Sequence, residues 1–237
     1  MKKAMVIALV ILSAVPLVIG VTALPRKGSP DAPPHTHVAP RYLAQGTEEA
    51  GSKNIVAAVL LNYRALDTAG EVTVIFTGFA AALAVLIIRS VTATRLSTPA
   101  APPLSPVTSF VVRLITPFTA LFAIYVVGDF NVAPGGGFQG GAILGGMLIT
   151  LMIVLGENRI LPHLHTPAAR WLQAIGLLAF ALVGVFGAVA FGHFLEFPID
   201  PAMAAVRKTM LTVLEFAIGI AGAAIFSTIF LQMEAHE

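Results

Sequence analysis

Arg64, Asp67 and Glu71 stand three and four residues apart at the head of a long apolar stretch. On a continuous helix all three share one face, and Arg64 can reach Asp67. Two carboxylates at i, i+4 repel when both are ionised. In a low-dielectric setting one holds its proton or borrows a cation from a partner. Either outcome gives a site whose charge can change, the raw material of proton or Na+ handling. Glu215 faces a related problem, because it sits ~10–12 Å into the last apolar run at the rise of a helix, between Leu214 and Phe216. An unpaired carboxylate there is expensive, so Glu215 is expected to be protonated, paired or facing a wet cavity. Two readings stand side by side for it: an ion-relay carboxyl, or a glutamic acid hydrogen-bonded to a neighbouring helix.

Other polar residues point to less. His193 and Glu196 bracket a loop end, where a solvated pair competes with a ligand pair. Asp129 stands beside a glycine-rich turn and can attract cations at an entrance, and Gln139 can hydrogen-bond across a helix interface or simply start a helix. Arg113 is placed to snorkel to the membrane interface. His35-Thr36-His37 has metal-ligand residue types but no evident third ligand. The chain contains no cysteine, which removes disulfides, iron–sulfur ligation and thiol nucleophiles. His35, His37, His163, His165, His193 and His236 are all expected in loops, ends or the tail, so no buried pair is expected to hold a haem. No nucleophile–base pair or metal cluster emerges. The expectation is a protein that is not an enzyme and carries no cofactor or metal.

The densest local signal is Ala133 to Gly146, APGGGFQGGAILGG. Pro134 cannot continue a helix and biases Ala133 away from helical angles, so the preceding helix should stop before it. Gly135, Gly136 and Gly137 can turn the chain through angles other residues resist. Beyond them, Gly137, Gly141 and Gly145 stand four apart, as do Gly136 and Gly140, which is small-xxx-small spacing on one helix face. The pattern predicts a tight re-entry at a membrane surface, then a helix that a neighbour approaches almost backbone to backbone. No Lys-Ser/Thr follows the cluster and no strand precedes it, which argues against nucleotide binding.

Pro134-Gly135-Gly136-Gly137-Phe138-Gln139-Gly140-Gly141 closely resembles the signature of the subunit-B family of multisubunit Na+/H+ antiporters of the Mrp or Mnh type. The same module occurs in energy-converting membrane-bound hydrogenase complexes. The resemblance runs from about Pro106 to the C-terminus. Family members usually carry a Gly-His pair shortly before the proline; this chain has Gly128-Asp129-Phe130-Asn131 there, so no role of that histidine transfers. A second stretch, Tyr63-Arg64-Ala65-Leu66-Asp67-Thr68-Ala69-Gly70-Glu71, is similar to the F-R-x-x-D-T-x-x-E element in the C-terminal part of the large antiporter A subunit and in the small E-type subunit of membrane hydrogenases, with Tyr63 in the aromatic slot. The resemblance implies an E-like module over residues 1–98, a proline-rich linker over 99–106 and a B-like module over 107–237. It also implies a place among other membrane subunits, with Na+ or H+ as the transported ion.

Composition supplies the frame for these elements. Of 237 residues, 57% are hydrophobic and 11% charged, against about 25% charged in a soluble domain, and mean hydropathy is +0.89. The reading is an all-α polytopic membrane protein with about six transmembrane helices and one short membrane-associated helix. The net charge of +2 gives no argument for nucleic acid. Met1-Lys2-Lys3 and the apolar run from Ala4 to Leu24 resemble a signal peptide, yet the run exceeds the usual length and lacks a clear small-residue cleavage site. A retained first helix is the better reading. Pro25 to Ser52 is expected as an aqueous loop, in which Glu48 and Glu49 keep the chain wet. Asn54 to Tyr63 reads as a short helix, followed by spans at about 68–89, 107–127, 138–155, 171–192 and 208–231, with a kink at Pro117. Six crossings put both termini on one side, and Lys plus Arg then tie at seven per side. Only the short loops and the N-terminus favour a cytoplasmic N-terminus. The location implied is the inner (plasma) membrane. The leading function is a subunit of an Mrp-type cation/H+ antiporter or related redox-driven ion-pumping complex; a purely structural subunit and an autonomous small-solute carrier are the alternatives.

Overall fold

The computed structural model describes residues 2–92, 105–155 and 166–234. The proline-rich stretch 99–104, Arg95, Arg159, His163, His165 and His236 lie outside them. By packing the chain divides into Met1–Ala44 and Gln45–Glu237. No strand occurs among the described residues. Among the described residues, six helices are long and apolar enough to cross a membrane: Lys3–Thr22, Ala65–Leu86, Pro106–Gly128, Gly137–Leu155, Ala168–Phe191 and Pro201–Met233. The all-α membrane architecture is therefore the one the hydropathy pattern requires.

In the first unit, α1 (Lys2–Thr22) is largely apolar after Lys2 and Lys3 and exposed along its described length. The loop reading of residues 25–52 needs correction. A π-helical turn, Pro34–Val38, carries His35 and His37 and leads into α2 (Ala39–Ala50), which runs past the unit boundary. Pro33 and Pro34 explain the start, since proline has no N–H to leave unsatisfied in a first turn. Gly46 and Ala50 are buried four apart, so α2 hides one stripe rather than lying free in water.

The second unit is organised on α8 (Ala204–Glu234), among the described residues the longest helix and the most buried of the membrane-crossing ones. It packs against α6 (Gly137–Leu155) and α7 (Thr166–Phe191), and also meets α4 (Ala65–Thr92) and α5 (Pro106–Gly128). Small residues make that centrality possible. A side-chain carbon on Gly141 would lie 2.7 Å from the Gly219 carbonyl oxygen, and one on Gly176 would lie 2.7 Å from that of Ala217. Both distances are shorter than carbon–oxygen contact allows, so α6 and α7 meet α8 backbone to backbone. The other α6 glycine row faces elsewhere: a carbon on Gly140 would strike Val127 of α5. Gln173 adds a polar tie in apolar surroundings, donating to the Ala224 carbonyl (3.1 Å) and the Thr228 hydroxyl (2.9 Å) across α7 and α8. Pro117 leaves α5 as one continuous helix, begun by the Ser105 hydroxyl accepting from Val107 N–H.

The short helix before α4 is α3 (Ile55–Ala57) continued as a π-helix, Ala58–Tyr63. It ends at Arg64, whose φ of −125° and ψ of 39° leave the helical region. Helix continuity through Arg64 is thus broken, and α4 starts afresh at Ala65. Thr68 joins the two pieces, its hydroxyl donating to the Leu60 carbonyl at 2.6 Å.

Candidate functional site: a buried carboxyl on the glycine turn

Glu215 is 5% exposed on α8. Counted from the start of α8 at Ala204, it lies eleven residues in, or ~16 Å along the axis at 1.5 Å per residue. That is deeper than a span beginning at Lys208 implies. Its Oε2 accepts a hydrogen bond from the Gly137 backbone N–H at the start of α6. The first N–H groups of a helix have no partner within it, and the helix dipole favours a carboxyl there. Glycine permits the approach. A side-chain carbon on Gly136 would lie 3.1 and 3.2 Å from the two Glu215 carboxyl oxygens and 3.2 Å from the Gln139 amide oxygen. Gly136 also has φ +153° and Gly135 φ +159°, angles that residues with side chains rarely adopt. A carbon on Gly135 would in addition lie 2.8 Å from the Val126 carbonyl oxygen. Pro134 precedes them at the exposed edge of the turn. The buried carboxyl and the glycine turn, two separate signals in the sequence, form one site.

The site lies where the segment from Val56 to Thr68 meets α6 and α8. A cavity of ≈ 40 Å³ there is lined by the Glu215 side chain, Gly135–Gly137, Gln139, Leu60 and Thr68. Asn54 locks the joint. Its amide donates to the carbonyls of Phe130 and Ala133, both at 2.9 Å, while its carbonyl accepts from Val56 and Ala57 and caps α3. The Asn54 backbone N–H donates to Asn131 at 3.0 Å, and the Ser52 hydroxyl donates to the same carbonyl at 3.1 Å. Asn54→Ala is therefore expected to lower stability by roughly 2–4 kcal/mol, through lost bonds and unsatisfied buried carbonyls. Asn54→Asp keeps the cap but sets a carboxyl oxygen against the two carbonyl oxygens that the amide served, and should melt no higher than Asn54→Ala in detergent-solubilised heat denaturation.

The α4 acids behave differently. Arg64 pairs with Asp67 even though the helix breaks at Arg64, and both side chains are exposed. Glu71 is exposed one turn further along α4, with no hydrogen bond or ion pair among the described residues. Arg64, Asp67 and Glu71 are not brought to Glu215; Thr68, buried between Asp67 and Glu71 in sequence, is the residue of this stretch that lines its cavity. His193 and Glu196 do pair, 2.7 Å apart and exposed, closing the turn that leads into α8. Asp129 is half-buried just past α5, its backbone carbonyl accepting from Val132 (3.0 Å) and Ala133 (2.9 Å), whereas Arg113 is exposed on α5.

Two residues of the site region carry no sequence-level signal of their role. Asn54 before an apolar run is a legible helix cap, but its reach to a loop some eighty positions away is not. Arg207 looks like an interfacial cation, yet it is 5% exposed and donates to the carbonyls of Glu49 (3.0 Å), Pro198 (2.9 Å) and Ile199 (3.2 Å). Gly51, at φ +67°, makes room for that guanidinium.

An apolar helical bundle built around a carboxyl seated on a glycine turn defines a polytopic membrane protein with an internal ionisable site. Residues 107–230, just over half of the chain, match the family model "Domain related to MnhB subunit of Na+/H+ antiporter", and the chain belongs to that family. Residues 9–99 match the MbhE family model, which describes the E-type subunit of MBH. The chain is similar to the uncharacterized protein MJ1307 of Methanocaldococcus jannaschii, 40% identical over 76 residues. That stretch is 32% of this chain and 28% of the relative, so the match spans little of the relative's length. The fold is shared with a chain of the membrane-bound sulfane sulfur reductase, an archaeal respiratory membrane complex, at TM-score 0.67 and 24% identity over 98% of this chain and 97% of that one. It is shared also with the Mrp complex from Dietzia sp. DQ12-45-1b, at TM-score 0.57 and 20% identity over 96% of this chain and 26% of that one.

Proposed function

We propose that the chain is a non-catalytic membrane subunit of an Mrp-type cation/H+ antiporter or a related redox-driven ion-pumping complex of the inner (plasma) membrane. Its partners are other membrane subunits, and its transported ion is Na+, H+ or both. The observation that carries this reading is Glu215, a carboxyl buried in an apolar bundle and held at the junction of the E-like segment with the glycine turn. Family membership and the two structural neighbours support the setting. Asp67 and Glu71 supply a second acidic station on the exposed face of α4, with Arg64 balancing Asp67. Glu71 lies six residues, or ~9 Å, into α4, and a lone carboxylate facing lipid inside the membrane is costly, which favours a Glu71 face covered by other subunits.

Glu71→Gln tests this role, since it keeps shape and removes the charge. Cation-dependent growth and antiport in native membranes should fall, with the complex still running at full size on native gels. Full antiport in that variant would remove Glu71 from the route. The capping bond from Gly137 favours a second reading, in which the carboxyls only hold the assembly together. That reading expects Glu215→Ala, which removes the acceptor, to lose assembly, and the assembled Gln variants to keep transport.

A further inference from the structure

We infer that the cavity between Glu215 and Thr68 is a water site, in which bound water solvates the free oxygen of the Glu215 carboxyl and is anchored at its other end by the Thr68 hydroxyl. The inference rests on the ion-path reading above and names what Glu215 exchanges its proton with.

Three observations carry it. First, the hydrogen bond from Gly137 uses Oε2, and Oε1 has no protein donor among the described residues, although the residue is 5% exposed. A buried carboxyl oxygen without a protein donor is satisfied by water. Second, the cavity has room. Its ≈ 40 Å³ exceeds the ~10–15 Å³ that one water needs on the same kind of measure, which gives space for two or three. Third, three polar residues, Glu215, Gln139 and Thr68, line it together with Gly135–Gly137, against an otherwise apolar wall that includes Leu61, Phe138 and Ile218. An apolar void of this size stays dry; one with this many partners does not.

Thr68 has a definite part. It is 2% exposed, and its single proton is committed to the Leu60 carbonyl at 2.6 Å. Both oxygen lone pairs therefore remain to accept from water. Thr68 is a positioning residue, which orients water towards Glu215 and holds no transported proton itself. Gln139 is exposed and gives the cavity a polar mouth. On α4, Thr68 and Glu71 are three residues apart and so adjacent on the helix surface. The cavity thereby runs from the buried carboxyl to within one helical turn of the exposed acid.

The test uses the intact complex. Thr68→Ser keeps the hydroxyl, and Thr68→Val keeps the bulk without it. Per assembled complex, which corrects for the Leu60 bond that valine also loses, Thr68→Ser should transport within twofold of wild type and Thr68→Val at least tenfold below it. A density map of the complex that resolves ordered water should show water between Glu215 and residue 68 in wild type and less in Thr68→Val. Equal transport by the Ser and Val variants, or a dry cavity in wild type, overturns the water site. Glu215→Gln separates this outcome from failure of the broader reading. If it abolishes transport while Thr68→Val does not, the water site falls and Glu215 keeps its role. If Glu215→Gln itself transports normally, the ion-path reading falls and takes the water site with it.

Discussion

Gly141→Leu is expected to abolish accumulation of the folded chain, and Gly141→Ala to destabilise it measurably. The first added carbon lands 2.7 Å from the Gly219 carbonyl oxygen and 3.2 Å from the Gly219 Cα, both backbone atoms that cannot swing aside. α6 and α8 must therefore separate. Gly137 and Gly145, on the same α6 face, would lose contact with α8 together with Gly141. One misplaced methyl in a packed interior costs about 1–3 kcal/mol, and leucine adds three more heavy atoms where there is space for none. Gly146→Ala is the matched control, because a carbon there meets nothing within 4 Å. It should be neutral, or more stable by up to about 1 kcal/mol from helix propensity. Size-exclusion profiles and heat denaturation in detergent read both. Equal melting of Gly141→Ala and Gly146→Ala would mean that α6 and α8 do not meet as described.

The second large effect belongs to Glu215. Glutamine is nearly isosteric and keeps a carbonyl oxygen that accepts from Gly137, so Glu215→Gln should assemble. It cannot carry a proton or a negative charge. Transport should drop by about a hundredfold or more, the scale on which a positioned proton-transfer group acts. Glu215→Ala removes the acceptor as well. It leaves a buried N–H unsatisfied at a cost of roughly 1–3 kcal/mol, so it should lose stability as well as transport. The contrast between the two variants separates chemistry from scaffolding.

The spans are legible because membrane helices are written in long apolar runs, and each of the five later spans overlaps its helix closely. The glycine spacing and Glu215 are each legible for the same reason: both are unusual in oil. Their meeting is not, because residues 137 and 215 come together through packing of α6 on α8, and periodicity says nothing about which helices pair. A shared Arg64–Asp67–Glu71 face presupposes an unbroken helix. The chain instead bends at Arg64, where the π-helix hands its Leu60 carbonyl to the Thr68 hydroxyl. As a result Thr68, inconspicuous in sequence between two acids, is the residue of that stretch that turns inward. Asn54 reads as no more than a helix cap and Arg207 as an interfacial cation. What buries them is loop backbone folded over the ends of α5 and α8, which composition does not record.

The most direct measurement is cation-driven proton movement in proteoliposomes carrying the intact complex, wild type against Glu215→Gln, normalised to the amount of this subunit present. A fully assembled Glu215→Gln complex that moves protons only at the rate of empty liposomes is the outcome expected of a carboxyl that takes part in the ion path. An assembled variant that moves them at the wild-type rate would show that Glu215 merely caps α6.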